Sequence, residues 1–205
     1  TPISAKEEIE RLSPYLNRII HQSNAIISVD THHPDTARFA LDAGADYIND
    51  ITGGESDPLL QTIAQYDAGI ILMHKQGDPA PMQHSPHYSD VCQEIYHYLE
   101  LQIKNAQQAG ISSIIIDPGL GFGKTLEHNI SLLKHLDRFL SLKCPILIGT
   151  SNKSFIGHLT GADTHDRLPG SIASAIAAYQ NGASILRVHN VKETMQALTV
   201  FEAVQ

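Results

Sequence analysis

IISVDT (residues 26–31) is a β-branched apolar run that ends in a carboxylate, and SIIIDP (113–118) repeats the pattern. A parallel strand covered on both faces reads as such a continuous Val/Ile/Leu run, and its carboxyl end is where sheets of this kind present functional side chains. Four further runs end in the same manner. YINDI carries Asn49 late, GIILMH ends in Met73 and His74, PILIGTSNK in Ser151 and Lys153, and ASILRVH in Arg187 and His189. Polar groups are therefore expected on one rim, with Asp30 and Asp117 as candidates for a shared ligand.

The segments between these runs carry helical signals. Ser4 with Glu7 has the form of a capping box, Pro34 and Pro58 suit first-turn positions, and Ser89 precedes an amphipathic stretch that runs to Ala109. Gly44, Gly69, Gly110 and Gly182 recur just before strands, where glycine ends a helix in the left-handed region. Alternating strands and helices predict βα units around a parallel sheet. Strands are expected around Ile27, Ile48, Ile71, Ile115, Leu147 and Leu186. A (β/α)8 TIM barrel needs eight strands, so the expectation is an α/β barrel with its last six units readable and two N-terminal units lacking. Residues 1–205 are read as one domain. An open doubly wound sheet is the alternative.

Composition bounds the function. The chain has 205 residues, 42% hydrophobic and 18% charged, enough apolar content for a sizeable core. A formal net charge of -8 argues against a nucleic-acid footprint, which requires a clustered Lys/Arg face. No apolar stretch reaches the ~20 residues that span a bilayer. Cys92 and Cys144 lack the close pairing of metal or redox motifs, which points to reduced thiols and a cytoplasmic location.

DPGLGFGKT (117–125) resembles a phosphate loop only superficially. The position that must be Gly in a Walker-type loop is Pro118, and the third Gly of a dinucleotide fingerprint is Lys124. What remains is a glycine-rich turn that brings backbone close to a ligand, with Phe122 as a wall. The loop 74–89, rich in Pro, Gly and His, suits a lid. Among twelve His residues, His32 and His33 are adjacent, yet no pair has the spacing of a zinc motif. Lys153, Arg187 and His189 follow the last two strands, a common anion site of barrels, whereas Asp30, Asn49 and Asp117 seek N–H donors. The expected ligand has a flat, amide-like or guanidine-like head and an anionic tail.

These residues resemble the dihydropteroate synthase family of pterin-binding enzymes. The likeness rests on ISVDT with AGADYINDITGG, LMH followed by GDPAPMQ, IIIDPGLGFGKTLEHN, LIGTSNKSFIG, DRLPGS and ILRVHNVKET, in that order along nearly the whole chain. The resemblance implies a pterin-binding barrel that joins 6-hydroxymethyl-7,8-dihydropterin diphosphate to p-aminobenzoate, releases diphosphate and is a sulfonamide target. It implies that Asp30, Asn49 and Asp117 hold the pterin edge, that Lys153 contacts the ring system, and that Met73 and Phe122 flank the pocket. Arg187, Val188 and His189 match the Arg-Val-His segment, with Arg187 near the ring and His189 on the diphosphate. Ser154 is expected near the aminobenzoate carboxylate. Lys153, Arg187 and His189 are the catalytic candidates.

The resemblance also implies Mg2+ as cofactor, with its ligand in the lacking N-terminal strand and none in this chain, and a homodimer. Two departures stand out. The family's Ser-Arg-Lys is Ser151-Asn152-Lys153 here, and the Asp that follows its Arg-Val-His is Asn190. The family's first strand with its Asn, and its Thr-Arg-Pro segment, have no counterpart. Two other functions share the pterin-holding groups: a corrinoid methyltransferase-type module, which has less need of a diphosphate site, and a non-catalytic pterin-binding fragment.

Overall fold

The computed structural model describes residues 3–77 and 86–205. Most of the expected lid, 78–85, lies outside the described residues. Helices and strands alternate as α1 (Ala5–Gln22), β1 (Ser28–Asp30), α2 (Pro34–Ala43), β2 (Tyr47–Asp50), α3 (Asp57–Ala64), β3 (Gly69–Met73), α4 (Val91–Gln108) and β4 (Ile114–Asp117). There follow α5 (Leu126–Lys134), β5 (Leu147–Ile148), α6 (Ser154–Thr160), α7 (Leu168–Gln180), β6 (Ile185–Leu186) and α8 (Val191–Ala203). The six expected strands are all present. Two compact units share them: the chain up to Met73 with Leu99–Ile115, and His74–Tyr98 with Ile116–Gln205.

In the first unit β1, β2 and β3 pair in parallel, and the register sets Asp30 opposite Asn49 and Asp50 opposite Leu72. All five residues of β3 are buried, as a strand covered on both faces requires. β1 differs from expectation. It begins one residue after Ile27, only Val29 is buried, and Ile26 is 74% exposed, because β1 is the edge of the sheet. Ile48, Leu59, Ile63, Ile70 and Leu72 form the core behind the strand ends.

Local signals explain how the helices begin and end. The Glu7 N–H donates to Ser4 Oγ at 3.3 Å, but the Glu7 carboxylate turns to Arg11, so half of the expected capping box forms. Pro34 and Pro58 stand in first turns. Gly44, Gly110 and Gly182 adopt left-handed φ. Gly69 does not: it lies inside β3 against the Tyr47 ring, which a Cβ would overlap, and Asp67 makes the left-handed turn instead. Asp50, fully buried, accepts from the N–H and hydroxyl of Thr52 and the N–H of Gly54, and so shapes the loop after β2.

In the second unit Ile116 bridges Ile146, and β5 pairs in parallel with β6 through Leu147↔Ile185 and Ile148↔Leu186. The core here comprises Ile116, Leu132, Leu136, Phe139, Ile146 and Ala175. The cap of α4 falls one residue later than expected. Asp90 Oδ1 accepts from Cys92 and Gln93, while the Ser89 N–H donates to Glu94.

Candidate active site

The register of β1 and β2 brings the first pair of candidate groups together. Asn49 Nδ2 donates to Asp30 Oδ1 at 2.8 Å. An ionised carboxylate only accepts, so this bond fixes the amide with Nδ2 toward Asp30 and Oδ1 away from it. That Oδ1 is buried and has no hydrogen-bond partner among the described residues. An unpaired buried acceptor costs about 1–3 kcal/mol, and the protein retains it next to an exposed carboxylate. Asp30 and Asn49 therefore offer two acceptors to a ligand that brings N–H donors. Met73, 1% exposed, ends β3 in the same unit.

The second unit carries the other candidates. Asp117 ends β4 at 4% exposure, and its Oδ1 accepts the Gly119 N–H at 2.8 Å. Burial pushes its pKa above the usual carboxylate range, although the Gly119 bond and the positive charges of Arg187, Lys153 and Lys124 oppose the shift. Gly119 turns the chain at φ 72, where a Cβ would overlap the His74 carbonyl oxygen. The Gly121 N–H donates to the buried Asn129 side chain, and Thr125 with His128 forms a complete capping box for α5.

The ammonium of Lys153 stands 4.2 Å from the centre of the Phe122 ring, a cation–π contact. Burial lowers the Lys153 pKa, against the pull of Asp117. Ser154 opens α6 and is exposed. Beyond β6, Arg187 is exposed, Val188 is half-buried, and His189 is exposed beside Ser151. The Arg187 N–H donates to Ile148 O, and His189 meets the Ser151 hydroxyl through its backbone N–H at 3.3 Å and Nδ1 at 2.8 Å. Asn152, where the family pattern has Arg, adopts a left-handed φ of 59°, which Asn tolerates. Its carbonyl accepts from Arg167 and its N–H donates to Ser171.

Sequence reasoning missed the pair behind this site. Lys124 is 4% exposed, with Nζ 3.0 Å from both His74 Nδ1 and the Phe122 carbonyl oxygen. Burial lowers the Lys124 pKa to about 7. Burial, and then the Lys124 charge, lowers that of His74 to about 3. His74 stays neutral and accepts from the amine, its ring edge-on to Tyr98. A cavity of about 200 Å³ opens between Lys124, Thr125, Asn129, Ser154, Phe155 and His158. Among the described residues one cluster could offer a cation three ligands: Glu8, His32 and His33. Its two imidazoles do not suit Mg2+, a hard cation that takes oxygen ligands.

Residues 1–189 match the family model described as "Pterin binding enzyme". The chain is 42% identical over 203 residues to dihydropteroate synthase of Escherichia coli K12, covering 98% of this chain and 72% of that protein. Dihydropteroate synthase of Thermus thermophilus solved with 4-aminobenzoate superposes with a TM-score of 0.95 at 39% identity, over 100% of this chain and 79% of that one. The same enzyme solved with 6HMPPP gives 0.93, over 98% and 80%. The Yersinia pestis dihydropteroate synthase with a sulfonamide drug gives 0.96 at 37% identity, over 100% and 75%. These likenesses favour the TIM-barrel class over an open doubly wound sheet, and a synthase over a corrinoid-linked methyltransferase. The chain belongs to the dihydropteroate synthase family of pterin-binding enzymes.

Proposed function

We infer that this chain condenses 6-hydroxymethyl-7,8-dihydropterin diphosphate with p-aminobenzoate to 7,8-dihydropteroate and diphosphate, as a transferase of folate biosynthesis. The observation that carries the reading is Asn49 Oδ1, a buried acceptor turned away from Asp30 and without a hydrogen-bond partner among the described residues. The amino and ring N–H groups of a pterin supply donors to it. In this reading Asp30, Asn49 and Asp117 hold the pterin edge, Lys153 and Phe122 contact the ring, and Met73 walls the pocket. Ser154 and the cavity beside it receive aminobenzoate.

The chemistry asks little of a general base. The dihydropterin ring is electron-rich and stabilises positive charge at the methylene carbon, so its C–O bond breaks with the electron pair leaving on diphosphate. The arylamine nitrogen then forms the C–N bond and loses a proton. Catalysis consists of binding the leaving anion and positioning the amine. Arg187 suits the anion through its planar fork. Ser151 engages His189 Nδ1, so Nε2 is the nitrogen assigned to the diphosphate.

Mg2+ neutralises the diphosphate when bound, and we read it as a counter-ion of the substrate, because the imidazole-rich cluster of Glu8, His32 and His33 is unsuited to it. We also read residues 1–205 as one domain, since the chain passes between its two units three times. A cytoplasmic homodimer is the proposed assembly. Exposed Val191, Met195 and Val200 on α8 support the contact, and among the described residues no helix is long and apolar enough to cross a membrane.

The test is diphosphate release from the pterin diphosphate with and without p-aminobenzoate, with the product identified by mass. Aminobenzoate-dependent dihydropteroate is expected. Diphosphate release that ignores aminobenzoate, with no condensed product, overturns the reading.

A further inference from the structure

Glu8, on the first turn of α1, meets the two consecutive histidines of the β1–α2 connection. One carboxylate oxygen of Glu8 and one ring nitrogen each of His32 and His33 lie within 4.8 Å of one another. The two imidazoles stand 4.1 Å apart, centre to centre, so the chain turns both rings to the same side. Adjacent side chains on extended backbone point to opposite faces, and this departure puts two nitrogens within reach of one cation.

The surroundings hold the ligands in the manner of a metal site. A ring nitrogen of His33 is 3.1 Å from the Ile3 carbonyl oxygen, which lies outside the cluster. With that nitrogen as donor the other carries the lone pair, which is how metal-bound imidazoles are commonly oriented. Thr31 Oγ1 donates to one oxygen of Glu8 at 2.7 Å. Glu8 and His33 are half-buried, whereas His32 is exposed and can close on an ion by side-chain rotation. Bonds of about 2.1 Å in a tetrahedral site set ligand atoms about 3.4 Å apart, a contraction that these side chains can make.

We propose that Glu8, His32 and His33 form a surface-accessible site for a borderline divalent cation of the Zn2+, Co2+ or Ni2+ class. Two imidazoles and one carboxylate match these ions and discriminate against Mg2+ and Ca2+. Solvent completes the coordination on the His32 side. The bound ion ties α1 to the connection that begins immediately after Asp30, reinforcing the bonds of Thr31 to Glu8 and of Thr36 to Ala5 O. Metal availability thereby sets how firmly the carboxyl end of β1 is held. The site is independent of the Mg2+ assigned to the diphosphate.

The experiment titrates metal-free protein with Co2+, followed by its visible ligand-field bands, and with Zn2+ by calorimetry. One ion per chain is expected, with no heat from Mg2+ at equal concentration. Glu8→Gln and His32→Ala each weaken binding by about tenfold or more, and exposed His165→Ala binds as wild type does. In the unaltered protein Zn2+ shifts the ring-proton resonances of His32 and His33 and leaves those of His165 in place. Wild-type affinity in both Glu8→Gln and His32→Ala, absence of a one-to-one site, or unshifted His32 and His33 resonances overturns the proposal.

Discussion

The amine of Lys124 and Nδ1 of His74 lie 3.0 Å apart, fifty residues from each other in the chain and both buried. The ammonium donates and the neutral imidazole accepts, with the Phe122 carbonyl as a second acceptor. This pair fastens the residue after β3 to the glycine-rich turn after β4, within the unit that carries Asp117, Lys153 and Arg187.

Both pKa values are lowered by burial, which fixes the sign of a pH effect. On acidification the unfolded chain protonates the imidazole near 6.5 and the folded chain only near 3, so stability falls across that window and levels below it. Lys124 acts in the same direction between about 10.5 and 7. Denaturant unfolding from pH 10 to 3 is expected to show both declines, the His74 part on the order of 5 kcal/mol. In His74→Gln the decline between pH 6.5 and 3 flattens, and an unchanged profile contradicts the assignment.

Removing the amine tests the same contact from the other side. Lys124→Met takes away a charge that lowers the His74 pKa and leaves its Nδ1 without that donor. NMR titration is expected to show the His74 midpoint moving upward, and thermal unfolding a loss of about 1–3 kcal/mol.

Neither residue was legible as a pair in the sequence, and the reason is physical. Strand runs announce themselves by continuous β-branched residues, and rim residues such as Asp30, Asn49 and Asp117 follow from their positions at strand ends. The partnership of His74 with Lys124 depends on how two connections fold against each other, which no local pattern encodes. Glu8 beside His32 and His33 is hidden for the same reason. Tertiary context also decided against Gly69 as a turn residue and trimmed β5 and β6 to two paired residues each.

Asn49→Leu separates binding from folding. The substitution removes a buried acceptor that has no partner among the described residues, so stability without ligand changes by about 1 kcal/mol or less, while pterin affinity falls by roughly 2–3 kcal/mol. Paired calorimetric binding and thermal unfolding check this, and unchanged affinity removes Asn49 from the site.

Arg187→Ala is expected to lower kcat/KM by the equivalent of about 2–4 kcal/mol of transition-state stabilisation, the scale of one preorganised anion contact. Arg187 lies outside the buried core, so the folded protein tolerates the change. Steady-state kinetics with both substrates reads the effect, and wild-type turnover contradicts the role.

The proposed function assigns strand-end groups to a pterin, and Asp117 tests the assignment best because it is buried and burial raises the pKa of its carboxyl. Calorimetric titration of wild type and Asp117→Ala with 6-hydroxymethyl-7,8-dihydropterin diphosphate is the measurement, with circular dichroism confirming the fold of each. One-to-one binding to wild type is expected, with a loss of roughly 100-fold or more in a folded Asp117→Ala, as follows from removal of a charged hydrogen-bond acceptor. Wild-type affinity in that variant would show that Asp117 does not hold the pterin.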